Sequence, residues 1–137
     1  MKVLIVDDDK NILETLERAF KMNTEYSVVL SNNPIKAYEI ACSEQIDVVI
    51  TDIQMPEMNG LDLIKKIKQA NALVQIITMT AFTSFENVMA ALRRGSYEIY
   101  LKPFKDVNDL VNCVKELEIK IGRWKQMIIE ISRKNPV

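Results

Sequence analysis

The stretch from Ile46 to Gly60 constrains this chain more than any other. Val48, Val49, Ile50 and Thr51 form an unbroken β-branched run that stops on Asp52; Pro56 and Gly60 follow before a helical pattern begins. A run that is apolar at consecutive positions suits a strand buried on both faces, as in a parallel sheet covered by helices on each side. Asp52 then stands at the carboxyl end of a buried strand, where open α/β sheets form their binding crevice. Taken alone, an aspartate there is equally an ordinary cap or loop residue.

The same motif recurs along the chain. Val3–Val6 is an apolar run that stops at Asp7-Asp8-Asp9, and Ile12, Leu13, Leu16 and Phe20 then recur at helical spacing. Tyr26–Leu30 reads as a second strand. Asn33-Pro34 looks like an N-cap with proline in the first helical position, opening a helix through about Cys42. After the strand ending at Asp52, Leu61, Ile64 and Ile67 mark a helix with Lys65, Lys66 and Lys68 on its wet side. Val74–Met79 is a fourth strand, ending on Thr80. Phe85, Val88, Met89 and Leu92 mark a helix that stops at Gly95. Ile99–Leu101 is a short fifth strand before Lys102-Pro103, and the last helix begins near Asp106. Strand and helix alternating five times predict an α/β fold with a doubly wound, five-stranded parallel sheet and right-handed crossovers. A flavodoxin-like order, 2-1-3-4-5, and half of a Rossmann domain are the two candidates. No Gly-x-Gly-x-x-Gly follows the first strand, no P-loop motif occurs, and the chain has three glycines in all, so dinucleotide and P-loop readings fail.

With 137 residues, 48% of them apolar, the chain can build one ordinary core plus an appendage. A net charge of −1 gives no reason to expect nucleic acid or membranes as partners. No stretch approaches the roughly 20 apolar residues that span a bilayer, and Met1 before an immediate strand suggests a true N-terminus in a cytoplasmic protein. Cys42 and Cys113 lie in helical patterns and read as buried free thiols. Histidine is absent, which removes Ser-His-Asp triads and His-rich metal sites.

The residues just after the strands carry the chemistry: Asp7 and Asp8, then Asp52, Thr80 and Lys102. In a flavodoxin-like order these strands are neighbours and their ends converge on one rim. Several carboxylates crowded together repel one another unless a cation joins them, and a hard dication with oxygen ligands meets that need. A carboxylate beside such an ion can attack phosphorus, while a lysine ammonium and a threonine hydroxyl neutralise and bind phosphoryl oxygens. Singly, Asp9 reads as a helix cap, Thr80 as a strand end and Lys102 as a solvated lysine.

Over about residues 1–118 the sequence resembles a bacterial two-component response-regulator receiver domain of the CheY-like kind. The matching pieces are VLIVDDD, TDIQMPEMNG around Asp52, ITMTA around Thr80 and YLKPF around Lys102. The resemblance implies a Mg²⁺-dependent phosphoacceptor, with Mn²⁺ as a substitute ion. Asp52 would take a phosphoryl group from a sensor histidine kinase or phosphotransfer protein, which supplies the histidine this chain lacks. Asp8, Asp52 and the Gln54 carbonyl would ligate the metal, with Asp7 acting mainly through water. Thr80 and Lys102 would grip the phosphoryl group, and the acyl phosphate would switch the face formed by the fourth helix, fifth strand and fifth helix. The Lys102-Pro103 bond is expected to be cis. Gln54 and Phe82 occupy positions expected to tune the phosphate's lifetime. Met55, Pro56 and Met58 read as packing of the loop, and Gly60 as a close backbone turn.

One position departs from the family pattern. Ile99 stands where an aromatic residue often swings inward on activation. Tyr97 and Tyr100 flank it out of register, which on a strand means opposite faces, so a Thr80–tyrosine switch is in question and Tyr100 could instead serve a partner surface.

Along the last helix, Val107, Leu110, Val114, Leu117, Ile121, Trp124, Ile128 and Ile131 alternate spacings of three and four, a heptad seam of about three and a half repeats. Residues 119–137 are read as a C-terminal helical extension with no receiver core left to cover. Three readings stay open: a coiled-coil linker or dimerisation helix making a homodimer through Leu117, Ile121, Trp124, Ile128 and Ile131, a helix folded back on its own receiver, or a frayed linker to an output domain or effector. Arg123, Lys125, Arg133 and Lys134 read as a solvated face, with no direct nucleic-acid contact and no membrane insertion.

Two other functions compete with the phosphoacceptor. One is a degenerate receiver serving only as a dimerisation scaffold. The other is a haloacid-dehalogenase-like phosphatase with Asp7 as nucleophile and Asp9 as acid, but the threonine after its second aspartate, its later acidic pair and its cap domain are missing.

Overall fold

A computed structural model describes residues 1–81 and 84–135. Five strands, β1 (Lys2–Val6), β2 (Ser27–Ser31), β3 (Val48–Asp52), β4 (Gln75–Thr80) and β5 (Ser96–Leu101), alternate with five helices, α1 (Lys10–Asn23), α2 (Pro34–Ser43), α3 (Gly60–Ala70), α4 (Phe85–Arg93) and α5 (Val107–Lys134). The strands are all parallel in the order β2-β1-β3-β4-β5, the flavodoxin-like arrangement. Alternate residues of the buried strands serve two cores, as the period of two requires. Val3, Ile5, Val48, Ile50, Ile77 and Met79 meet α1 and α5 on one face. Leu4, Val6, Val49 and Ile76 meet α2, α3 and Ala91 of α4 on the other.

Helix starts are written locally. Asp9, Asn33, Asn59, Ser84 and Asp106 each accept a backbone N–H of the helix they open, a contact typically worth about 1 kcal/mol. Gly95, with φ of 107°, ends the connection after α4 in a conformation that favours glycine.

Several expectations need correction. Cys42 is exposed and only Cys113 is buried, because Cys42 lies on the outer face of the last turn of α2. Phe85 and Leu92 mark the exposed side of α4, whose buried residue is the small Ala91. Lys68 is half-buried rather than free in water; its ammonium donates to the carbonyls of Ala72 and Val74, and burial pushes its pKa down. Strand β5 begins at Ser96, three residues earlier than its apolar run. Its pairing with β4 carries a bulge, because Ile76 opposes Ser96 whereas Ile77 opposes Glu98. Tyr97 faces away from Ile99 as expected, but not by strict alternation, which puts residues two apart on one face. The bulge turns it over, so Tyr97 joins Tyr100 against the α5 side while Ile99 packs on the α4 side.

The seam of α5 also differs. Core packing does not stop near Leu117: Ile121 is 4% exposed and Trp124 packs on the same cluster. Ile128 and Ile131 are exposed.

Candidate functional site

The carboxyl ends of β1, β3, β4 and β5 bring together the residues that the sequence singled out. Asp7 follows β1 and is fully buried; Asp52 ends β3 and is 7% exposed; Asp8 is open to solvent. One oxygen from each of Asp7, Asp8 and Asp52 lies within 4.8 Å of the others. Lys102 reaches across from the end of β5, donating to Asp52 Oδ2 at 3.0 Å and to Asp7 Oδ2. The second oxygen of Asp7 accepts the Asp9 N–H at 2.9 Å, while Asp9 caps α1 through its own carboxylate. Asp9 therefore couples the start of α1 to the orientation of Asp7, a role its reading as a cap did not include.

Backbone contacts fix the frame. The Lys102 N–H donates to the Thr80 carbonyl at 2.9 Å, joining the ends of β4 and β5, and the Lys102-Pro103 bond is cis. Thr80 is fully buried beneath the rim. The Gln54 N–H donates to Asp52 Oδ1 at 3.3 Å, and its side chain is exposed. Met55 and Met58 pack into the core under this loop. Gly60 donates its N–H to the Ile53 carbonyl at 2.7 Å, and a Cβ there would stand 2.0 Å from the Asp52 carbonyl oxygen. The chain can therefore return beside Asp52 only at a residue without a side chain. Asn59-Gly60 before an apolar helical pattern is the signal for the cap that starts α3.

Of the expected switch residues, Ile99 lies half-buried against the α4 side, away from Tyr100. The Tyr100 hydroxyl donates to the Asp109 carbonyl at 3.3 Å, tying β5 to the first turn of α5. Burial raises the Tyr100 pKa. Phe82 lies outside the described residues.

The electrostatics are those of a cation site. Burial disfavours a charged Lys102, but the hydrogen bonds and charges of Asp7 and Asp52 outweigh it and push its pKa up. Burial pushes Asp7 up, opposed by Lys102 and the Asp9 N–H. The charged lysine decides the pair, because its ammonium meets two carboxylates at once. The donor set also suits a hard dication: three carboxylates face one point, and Asp8 is reachable from solvent.

Family comparison agrees with this geometry. The model of the response regulator receiver domain matches residues 3–115, most of the chain. The chain belongs to the response-regulator receiver family. Regulatory protein AtoC of Escherichia coli K12 is 32% identical over 127 residues, covering 93% of this chain and 27% of AtoC. The CheY-like receiver structure from Methanospirillum hungatei JF-1 superposes with a TM-score of 0.82 at 25% identity, covering 92% of this chain and 97% of that one. The receiver of NtrC4, a beryllofluoride-activated dimer in solution, shares the fold with a TM-score of 0.81 at 24% identity, covering 88% and 98%. The chain spans from 23% to 45% of the length of curated relatives such as AtoC, ZraR of Klebsiella oxytoca and MprA of Mycobacterium avium. Receivers are the signalling modules of two-component systems; they interact with histidine kinases and bind Mg²⁺ at an aspartate cluster of this kind. Among the described residues, no helix of this receiver is long and apolar enough to cross a membrane.

Proposed function

We propose that this receiver is a phosphoacceptor in which Asp52 takes a phosphoryl group from a histidine of a partner kinase or phosphotransfer protein. The observation that carries the reading is the pairing of Asp52 with Lys102 at 3.0 Å, within one group of three carboxylates at the rim. Asp52 Oδ1 is steadied by the Gln54 N–H, leaving the carboxylate at the surface end of β3 as nucleophile. Lys102, held charged by Asp7 and Asp52, is placed to follow a phosphoryl oxygen once Asp52 becomes an acyl phosphate. Thr80 at the end of β4 is the hydroxyl donor of the same rim. Asp7, Asp8, Asp52 and the Gln54 carbonyl would hold Mg²⁺, which supplies charge neutralisation to the transferring group.

The phosphatase alternative needs Asp7 as an open nucleophile, yet Asp7 is fully buried with both oxygens engaged. Signal output would run through α4, β5 and α5, where Ile99 packs on one side of the sheet and Tyr100 holds α5 on the other. The chain covers 27% of AtoC, a regulatory protein by name, and an output domain or effector would read the switch elsewhere. Homodimerisation by the C-terminal helix would use Ile128 and Ile131, since Leu117 and Ile121 are buried in their own receiver.

Intact-protein mass after incubation with a small acyl-phosphate donor tests the reading. One phosphoryl adduct is expected with Mg²⁺, and none after chelation or in Asp52→Asn. An adduct that persists in Asp52→Asn overturns it.

A further inference from the structure

The family match ends at residue 115, but α5 runs on to Lys134. Over the next ten residues the helix still belongs to the core. Leu117 and Ile121 are buried, and Trp124 packs on the same cluster. Two lysines beside this seam are also engaged by the same chain. The Lys120 ammonium lies 4.7 Å from the centroid of the Tyr97 ring, which the bulge in β5 has turned toward α5. Lys125 Nζ lies 3.3 Å from Asp47 Oδ1.

Asp47 is a fixed anchor. Its N–H donates to the Lys2 carbonyl, its carbonyl accepts from Gln75 N–H, and its other carboxylate oxygen accepts the Lys2 N–H at 2.9 Å. The carboxylate that meets Lys125 thus belongs to the base of the sheet, where β1, β3 and β4 begin. Past Lys125 the pattern changes. Met127, Ile128, Ile129 and Ile131 are all exposed, and among the described residues no side chain from 126 to 134 makes an ion pair with the body.

A parallel coiled coil on this seam would set Lys120 of one helix, the position before Ile121, against Lys125 of the other, the position after Trp124. Two ammonium groups would meet across the pair, whereas in the receiver each already has an aromatic or anionic partner. We propose that the base of the receiver masks the first half of its own C-terminal seam: Leu117, Ile121 and Trp124, closed by the Asp47–Lys125 clasp, are withheld from a second copy, and helix pairing starts only beyond Lys125. Residues 126–134 then leave the receiver as a rigid continuation whose direction is set by the clasp.

Trp124 is the only tryptophan, so its accessibility reads the masked segment directly. Acrylamide quenching of the intact chain should be protected relative to the urea-unfolded chain. Protection should not change across an about hundredfold dilution, because an intrachain contact has no concentration dependence. Lys125→Glu places like charges at the clasp and should raise the opening of residues 119–125 by about two- to fivefold in hydrogen exchange, as suits a partly exposed ion pair. Lys125→Gln should fall between the two. The β1 and β3 amides report that both variants remain folded. The proposal is overturned if native Trp124 is quenched as freely as in urea, if its protection is lost on dilution, or if Lys125→Glu leaves exchange of 119–125 unchanged in a folded protein.

Discussion

The same substitution at two glycines should move stability in opposite directions. At Gly60 an added methyl would stand 2.0 Å from the Asp52 carbonyl oxygen and 2.8 Å from Ile53 Cα, both backbone atoms. Reaching an ordinary contact of 3.4 Å from the first of these requires a further 1.4 Å of separation. Neither side can yield alone: Gly60 is bonded to the Ile53 carbonyl, and Asp52 is the last residue of a central strand. Overpacking of this kind costs about 1–3 kcal/mol, and rigid backbone on both sides places Gly60→Ala toward the upper end. At Gly122, inside α5, a new Cβ would meet nothing within 4 Å. There Gly122→Ala should stabilise by about 0.5–1 kcal/mol, because alanine is the better helix former and loses less entropy on folding. Urea unfolding of both variants, with unchanged m-values, measures the two signs together. The Asp52 phosphorylation rate should also fall by about a hundredfold in Gly60→Ala, as expected for a nucleophile displaced by roughly 1 Å, and stay unchanged in Gly122→Ala. A Gly60→Ala protein with native stability and rate would refute the argument that this residue sets the position of Asp52.

Lys102→Met leaves Asp7 and Asp52 facing each other without their cation. Unfolding in urea should show a loss of about 2–4 kcal/mol without metal, and Mg²⁺ should restore part of it. Ile121→Ala should cost about 2–4 kcal/mol although it lies beyond the family match, whereas Ile131→Ala should stay within about 0.5 kcal/mol; equal losses would contradict the packing of α5. Tyr26, half-buried and donating to Glu118, has its pKa pushed up by partial burial and that carboxylate to about 12 from 10.0. The unfolded chain releases that proton first, so this contribution to stability should be lost as pH rises from 10.0 toward about 12. Phenolate absorbance of the native protein against Tyr26→Phe checks it.

The fold was legible because each buried strand is a short β-branched run that ends on a polar residue, and the flavodoxin-like order brings those ends to one rim. Asp7, Asp8, Asp52, Thr80 and Lys102 were found that way, as strand ends rather than as a motif of fixed spacing. Details that depend on three-dimensional exceptions were not legible. The β5 bulge is written in no periodicity; it is an extra residue tolerated where the Thr78 and Ser96 hydroxyls pair at 2.7 Å and Ser96 donates to the Glu98 carbonyl. The apolar spacing marked α4 as a helix but not how deeply each residue is buried: Phe85 and Leu92 are exposed, Val88 and Met89 half-buried, and small Ala91 is the buried residue. The heptad seam of α5 is genuine in sequence, but a seam states only that one face is apolar. Asp47, far away in the chain, supplies part of what receives it.

Chemical trapping identifies the phosphorylated residue itself. Borohydride reduces an acyl phosphate to the alcohol, so treatment after phosphorylation should convert Asp52 to homoserine, read by fragmentation of the peptide containing Asp52 and Gln54. Homoserine is expected at Asp52, dependent on Mg²⁺ and absent from Asp7 and Asp8. Homoserine at Asp7 with Asp52 unmodified would contradict Asp52 as the phosphoacceptor and return the rim to the phosphatase reading.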